Sequence, residues 1–145
     1  MCGVVGIIST QKPVAGELYD SLIHLQHRGQ DAAGIMTYNE RFHIKKGTGL
    51  IRDIFDEHNM LRLQGNVGIG HTRYPTVGGF SVEEAQPVLT HVPYGIAMAH
   101  NGNLVNYTEL AKEVSEKDRR HINSSVDIEV ILHIFAHALD HPNSN

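Results

Sequence analysis

Five short runs of apolar, β-branched and small residues constrain the fold most, because such runs are typical of strands. They are Cys2 to Ser9, Ala32 to Tyr38, Phe42 to Lys46, Asn66 to Thr72 and Tyr94 to Ala99. A polar turn through Asn39 and Glu40 joins the second and third runs, which predicts a hairpin. We expect the first run to form a buried strand.

Apolar residues at helical spacing lie between and after these strands. The spacing predicts helices from Pro13 toward Gly29, more weakly from Ile54 to Leu63, from near Asn106, and from about Val126 to Leu139. In the last helix we expect Ser125 to be the N-cap and one face to be apolar, formed by Ile128, Ile131, Leu132, Phe135 and Leu139. Strands and helices together predict an α+β layered domain.

Composition narrows the class of protein. The chain has 145 residues, of which 41% are hydrophobic and 19% charged, and this predicts one globular domain. Its formal charge of -4 argues against a non-specific nucleic-acid binder. No apolar run approaches the ~20 residues of a membrane helix, and no secretory signal is visible. We therefore expect a cytoplasmic protein that has no membrane or nucleic-acid partner.

The chain has one cysteine, Cys2, so it can form no intrachain disulfide and no cysteine-only metal site. Removal of Met1 would expose the α-amine of Cys2, and an α-amine in an unperturbed chain has a pKa of about 7.7–8.0. A thiol and a nearly neutral amine on one residue supply a nucleophile and its base. The alternative is that Cys2 is only the second residue of a buried strand.

Five motifs give this chain a resemblance to a known family. They are Met1 to Ile7, Leu25 to Ile35, Gly68 to Thr76, Glu84 to Pro87 and Ala99 to Leu104. In order and spacing they resemble the class II glutamine amidotransferases. Members that aminate a sugar phosphate usually carry tyrosine and serine at the positions of Gln30 and Ala32, so the chain is more similar to the amidophosphoribosyltransferase branch.

The resemblance implies the four-layer αββα sandwich of N-terminal-nucleophile hydrolases, of which this chain supplies the N-terminal portion. Residues 1–145 would be a truncated glutaminase domain, and the phosphoribosyltransferase domain would be absent. No cofactor is expected in this segment, since the Mg²⁺ of relatives would belong to that absent domain. Exposed sheet edges and apolar faces in a partial sandwich favour self-association or poor stability, and we expect a homo-oligomer.

The resemblance also assigns catalytic roles. Cys2 would attack the glutamine carboxamide, while the Asn101 side-chain amide and the Gly102 N–H would stabilise the oxyanion. Asn-Gly is also a strong hairpin signal, so the alternative for these two residues is a turn. His100, next to them, is expected to be structural.

Substrate-binding roles follow in the same way. Arg73 would hold the α-carboxylate of glutamine and Asp127 its α-amino group, while Thr76 and His71 would shape the pocket. The alternatives are a surface arginine and simple helix-start electrostatics. The family commonly has serine where this chain has Val126, so hydrogen bonding beside Asp127 is left open.

Arg28 and Asp31 would form an ion pair that positions Cys2, or contact substrate. The histidines at positions 133, 137 and 141 recur every four residues, and we expect a solvated helix face there and no metal site.

Together these residues predict hydrolysis of glutamine to glutamate and ammonia. In the parent enzyme the ammonia would pass to phosphoribosyl pyrophosphate and give phosphoribosylamine, a step of purine synthesis. Two alternatives stay open: an amidotransferase that uses another acceptor, and a folded but inactive module that at most binds glutamine. The second would follow if Met1 is retained, because the nitrogen of Cys2 would then be an amide without basicity.

Overall fold

A computed structural model describes residues 1–74, 81–117 and 121–141, which belong to two compact units. The first unit comprises Met1–Pro87 and Ala99–Asn101, and the second comprises Val88–Met98 and Gly102–Asn145. The first contains β1 Gly3–Ile8, α1 Ala15–Leu25, β2 Ala32–Asn39, β3 Arg41–Thr48, α2 Ile51–Ile54, α3 Glu57–Arg62 and β4 Val67–Arg73. The second contains β5 Val88–Thr90, β6 Ile96–Met98, α4 Tyr107–Lys117 and α5 Asp127–Asp140.

The first unit is built on a four-stranded antiparallel sheet in the order β1-β4-β2-β3. The hairpin predicted through Asn39 and Glu40 is confirmed, and Glu40 adopts a positive φ of 58° in its turn. Strand β4 lies between β1 and β2, so both of its edges are paired. Near its C-terminal end Thr72 is paired on both sides and Arg73 with β2 alone, and this is where the candidate site begins.

Helix α1 packs its apolar face on this sheet. Leu18 and Leu22 are completely buried and belong to a core that also contains Ile35 and Ile51. The helix ends at Leu25, and a 3₁₀ turn over Gln26–Arg28 continues it to Gly29, where the sequence predicted a stop. The helical spacing thus identified both the element and its buried face.

Two predictions for the first unit were wrong in detail. Strand β1 is an edge strand and only one of its faces packs on the core, so its residues alternate in burial, with Val4 42% and Ile8 78% exposed. The weak helix signal corresponds to two short helices, α2 and α3. Helix α3 starts where the Asp56 carboxylate accepts the Asn59 N–H at 2.7 Å, which caps it.

The second unit contains the β5–β6 pair and helices α4 and α5. Strand β5, three residues long, was not predicted, and β6 is shorter than expected. Val126 is the N-cap residue of α5 without a side-chain cap, so the predicted Ser125 cap was wrong. Val126 instead joins the apolar core with Val88, Ile128 and Leu132, which gives valine a packing role at this position.

The predicted apolar face of α5 was partly wrong. Phe135 and Leu139 are 46% and 41% exposed, whereas His133 and Ala136 are buried. The buried face of α5 therefore differs from the face that the apolar residues alone would predict. His133 also contradicts the expectation of a solvated histidine face at its position.

Glu129, in the first turn of α5, is buried and accepts N–H bonds from Asn123 and Ser124, each at 2.8 Å. Burial raises the pKa of this carboxyl, but the hydrogen bonds from Ser124 and Asn123 outweigh it and leave the pKa below its ordinary value.

Neither a membrane-spanning helix nor a metal-binding cluster is found in the described ranges 1–74, 81–117 and 121–141. Within them, no helix is both long and apolar enough to cross a membrane. Within the same ranges, no group of three or more His, Cys, Asp or Glu side chains is arranged to hold a metal ion.

Truncating Leu18 to alanine should lower the free energy of unfolding by about 2–5 kcal/mol, because it removes a completely buried side chain and leaves a cavity. The matched control is Leu61→Ala in α3, where the side chain is 71% exposed and the expected change is under about 0.5 kcal/mol. Urea unfolding of both variants measures the difference, and equal losses would contradict the placement of the core.

Candidate active site

Cys2 is fixed directly before β1, next to the C-terminal end of β4. Its Sγ lies 3.9 Å from the carbonyl oxygen of Tyr74, and its own carbonyl oxygen accepts the Nε–H of Arg28 at 3.0 Å. The next residue, Gly3, donates its N–H to the buried Thr72 Oγ1 at 3.1 Å. Arg28 therefore positions the backbone of Cys2 through a hydrogen bond, whereas the predicted ion pair between Arg28 and Asp31 is not found among the described residues.

Met1 lies outside the sheet. Its side chain is 78% exposed, and the paired residues of β1 begin at Gly3, opposite Thr72. Removal of Met1 would consequently break no hydrogen bond of the sheet and would leave the position of Cys2 determined by Arg28 and Gly3.

Arg73, the last residue of β4, is part of a largely buried ion pair. Its Nη1 donates to the Glu84 carboxylate at 2.7 Å and to the Glu84 carbonyl oxygen at 3.0 Å. The two side chains are only 14% and 11% exposed, so the interpretation of Arg73 as an ordinary surface arginine is wrong. Among the described residues, its Nε and Nη2 have no partner, and these two donors form one side of a guanidinium fork suited to a carboxylate.

Gly29 lets the Arg73 backbone approach the turn that follows α1. A Cβ at this position would lie 2.5 Å from the carbonyl carbon of Arg73 and 2.9 Å from the nitrogen of Tyr74. No larger residue fits there without displacing the end of β4. A glycine, which has no Cβ, permits this close approach of the two backbones.

His71, inside β4, is completely buried and lies against the backbone of His100. Its Nε2 is 3.2 Å from the His100 carbonyl oxygen. A carbonyl only accepts, so this hydrogen bond places the proton on Nε2. The pKa of His71 is lowered from 6.5 to about 4, chiefly by burial; the backbone hydrogen bond to His100 opposes this shift, and the charges of His100 and Arg73 contribute to it.

The pKa of His71 makes stability depend on pH. The unfolded chain takes up a proton below about pH 6.5, and the folded protein only near pH 4, so folding is favoured above pH 6.5 and weakens as the pH falls. Between pH 7 and pH 5 this residue should remove about 2 kcal/mol from the free energy of unfolding. Urea unfolding at both pH values should show a drop smaller by that amount in His71→Gln, and equal drops would contradict the assignment.

Asn101 and Gly102 do not form the hairpin turn that their sequence also allowed. A type I′ turn needs positive φ at both central residues, and neither Asn101 nor Gly102 has it. Asn101 belongs to the first unit, where it directly follows the anchored His100, and its side chain is exposed. Its expected role in the oxyanion hole stays a prediction, as does that of Gly102.

Asp127 and Gly102 belong to the second unit. Asp127 is the first residue of α5, and its Oδ2 accepts the N–H of Leu104 at 2.7 Å, so it fixes the segment that follows Gly102. Burial and the charges of Glu129 and Asp127 raise the pKa of Tyr107. Thr76 lies outside the described residues, and its predicted role stays a prediction.

Two residues that matter at this site were not singled out from the sequence. Glu84 is the counter-ion of Arg73, and the side-chain oxygen of Gln86 accepts the N–H of His100 at 2.8 Å. Both lie in the Glu84-to-Pro87 motif that contributed to the family resemblance. That motif was the available signal, but a motif does not say which partners its residues contact.

The sequence pattern of the glutamine amidotransferase domain matches residues 54–141, more than half of the chain. The chain belongs to this family. This amidotransferase chain is 54% identical over 143 residues to the amidophosphoribosyltransferase of Pasteurella multocida, a match that covers 97% of the chain and 28% of that protein. Proteins of the same name from Escherichia coli and Saccharomyces cerevisiae are 55% and 49% identical over 142 and 147 residues.

Solved structures carry the same fold. The glutamine phosphoribosylpyrophosphate amidotransferase of B. subtilis, complexed with ADP and GMP, superposes with a TM-score of 0.79 at 35% identity, covering 92% of this chain and 28% of that one. A structure described as the allosteric regulatory enzyme of purine biosynthesis gives a TM-score of 0.81 at 37% identity, over 92% and 29%.

These matches confirm the resemblance to amidophosphoribosyltransferases and the N-terminal-nucleophile hydrolase fold. They also show that the amidotransferase chain spans about 28% of the length of the curated relatives it matches.

Proposed function

We propose that this chain hydrolyses glutamine to glutamate and ammonia through a thioester on Cys2. The observation that supports this most is the placement of Cys2 at the end of β4, where Arg28 fixes its backbone and its Sγ lies next to Tyr74. Arg73, with two donors not used by any described residue, precedes Tyr74 directly. The proposed nucleophile thus lies next to the end of the strand that carries the proposed carboxylate-binding arginine.

The reaction begins when the free α-amine of Cys2 accepts the thiol proton, directly or through a water. The thiolate attacks the side-chain carbonyl carbon of glutamine, and the Asn101 side chain and Gly102 N–H stabilise the oxyanion. Collapse of the tetrahedral intermediate expels ammonia, which carries the proton that the amine donates. Water then attacks the γ-glutamyl thioester, which releases glutamate and restores the thiol.

Selection of the free amino acid would depend on two opposite charges. Arg73 binds the α-carboxylate with a planar fork, and Asp127 binds the α-amino group. Glutamine inside a polypeptide has neither charge, so this pair excludes it. His71 and Thr76 are proposed to shape the glutamine pocket.

The test is release of glutamate and ammonia from free glutamine by protein shown to begin at Cys2. Equal amounts of the two products are expected, with no hydrolysis of α-N-acetylglutamine amide, which lacks both charges. Hydrolysis of both compounds at similar rates would contradict the assignment of Arg73 and Asp127. No release from protein with a free Cys2 amine would favour the alternative of an inactive module that at most binds glutamine.

The remaining proposals concern the whole protein. The relatives are named amidophosphoribosyltransferases, and a solved relative is a phosphoribosylpyrophosphate amidotransferase. We extend this to the parent of the present chain: its acceptor would be phosphoribosyl pyrophosphate, its compartment the cytoplasm and its assembly a homo-oligomer. The presence of glutamine and alanine at positions 30 and 32 favours this acceptor over the sugar phosphates of other branches.

A further inference from the structure

We propose that Gln86 is a positioning residue for the oxyanion hole and acts through the backbone of His100; this inference rests on the proposed glutaminase function. Gln86 is 5% exposed, and its Oε1 accepts the His100 N–H at 2.8 Å. Asn101, the proposed oxyanion donor, is the next residue along the chain. A shift of the His100 peptide therefore moves Asn101 with it.

His100 is held by side chains at both of its backbone polar groups. Gln86 binds its N–H, and the buried His71 binds its carbonyl oxygen at 3.2 Å. Strand β6 has ended at Met98, so the strand ladder no longer fixes the chain at this point. The two side-chain contacts instead hold the backbone immediately before Asn101 and Gly102, the proposed oxyanion donors.

Gln86 is itself placed by the sheet. A Cβ on Gly34 in β2 would lie 2.2 Å from the Gln86 carbonyl oxygen, so the Gln86 backbone runs directly over that glycine. One residue earlier, the Ala85 carbonyl oxygen accepts the Lys46 ammonium of β3 at 2.6 Å. The glutamine therefore projects from a backbone that β2 and β3 both contact, which makes its amide a rigid anchor rather than a mobile side chain.

Glu84, two residues before Gln86, also positions a proposed site residue. It pairs with Arg73, the proposed ligand of the substrate α-carboxylate, whereas Gln86 holds the proposed oxyanion segment. The two effects separate kinetically. Loss of Gln86 should displace Asn101, which is needed in the transition state, and so lower kcat. The affinity for glutamine, which Arg73 sets, should be retained.

The test is Gln86→Met, which keeps the length of the side chain and removes the acceptor. We expect kcat for glutamine hydrolysis to fall about 10- to 100-fold, with KM changed by less than about 3-fold. The matched control is Gln26→Met, because the Oε1 of Gln26 accepts the N–H of Ile51 at 2.9 Å, the same type of bond away from His100. The control should change kcat by less than about 2-fold.

A second readout needs no chemistry. Hydrogen exchange at the His100 amide should accelerate at least about 10-fold in Gln86→Met and stay unchanged in Gln26→Met, which should instead release the Ile51 amide. Unchanged exchange at His100, or an equal loss of kcat in the control, would overturn the proposal. If the unmodified chain with a free Cys2 does not hydrolyse glutamine, the proposed function fails, and exchange at His100 still decides whether Gln86 holds that peptide.

Discussion

Replacing Cys2 with alanine is expected to reduce glutamine hydrolysis by about 10⁴-fold or more, because no other group can form the thioester. Folding should be almost unaffected, since among the described residues the thiol makes only one weak hydrogen bond, at 3.9 Å to the Tyr74 carbonyl oxygen, and the substitution keeps Cβ. Glutamate release and urea unfolding measure the two effects.

The control for Cys2→Ala uses the neighbouring arginine. Arg28→Met removes the hydrogen bond to the Cys2 carbonyl oxygen and keeps the thiol, so it should lose less activity, about 10- to 100-fold. Hydrolysis above about one percent of the original rate in Cys2→Ala would contradict the assignment of the nucleophile.

Replacing Arg73 with methionine should raise KM for glutamine at least about 100-fold and lower the free energy of unfolding by about 3–5 kcal/mol. The loss of stability arises because the Glu84 carboxylate, in a residue only 8% exposed, would lose its ion pair with Arg73. Methionine retains the apolar part of the side chain, so the change reports on charge rather than packing.

The double variant Arg73→Met, Glu84→Gln separates the two effects. It should recover most of the lost stability, because both charges of the pair are gone, and none of the lost affinity for glutamine. An exposed pair supplies the reference: Lys112→Met breaks a 3.9 Å contact to Glu116 between side chains that are 71% and 67% exposed, and should cost under about 1 kcal/mol. Recovery of glutamine affinity in the double variant would contradict a direct role for Arg73.

The sequence predicted the elements whose signal is local. The β2–β3 hairpin, β4 and α1 were found because strand pattern, turn residues and helical spacing are properties of neighbouring residues. Strand β5 was missed because three residues carry too little pattern. The apolar stripe of α5 was right at Ile128 and Leu132 but wrong toward its end: Phe135 and Leu139 match the helical period, yet the packing of the second unit buries His133 instead.

The same difference between local signals and long-range contacts decides which residues of the candidate site could be predicted. Cys2, Arg73 and Asn101 could be proposed as site residues because their chemistry and motifs are visible in the chain. Glu84 and Gln86 were not assigned roles, since their partners lie 11 and 14 residues away and the bonds depend on how the chain folds back. Positioning residues that act through another backbone leave no chemical signature of their own in a sequence.

The most direct measurement is intact mass spectrometry before and after exposure of the chain to an electrophilic glutamine analogue. The proposed mechanism predicts loss of Met1 and a single adduct on Cys2, blocked by excess glutamine and absent in Arg73→Met. A chain that begins at Cys2 and forms no adduct, or forms one that glutamine does not block, would contradict it.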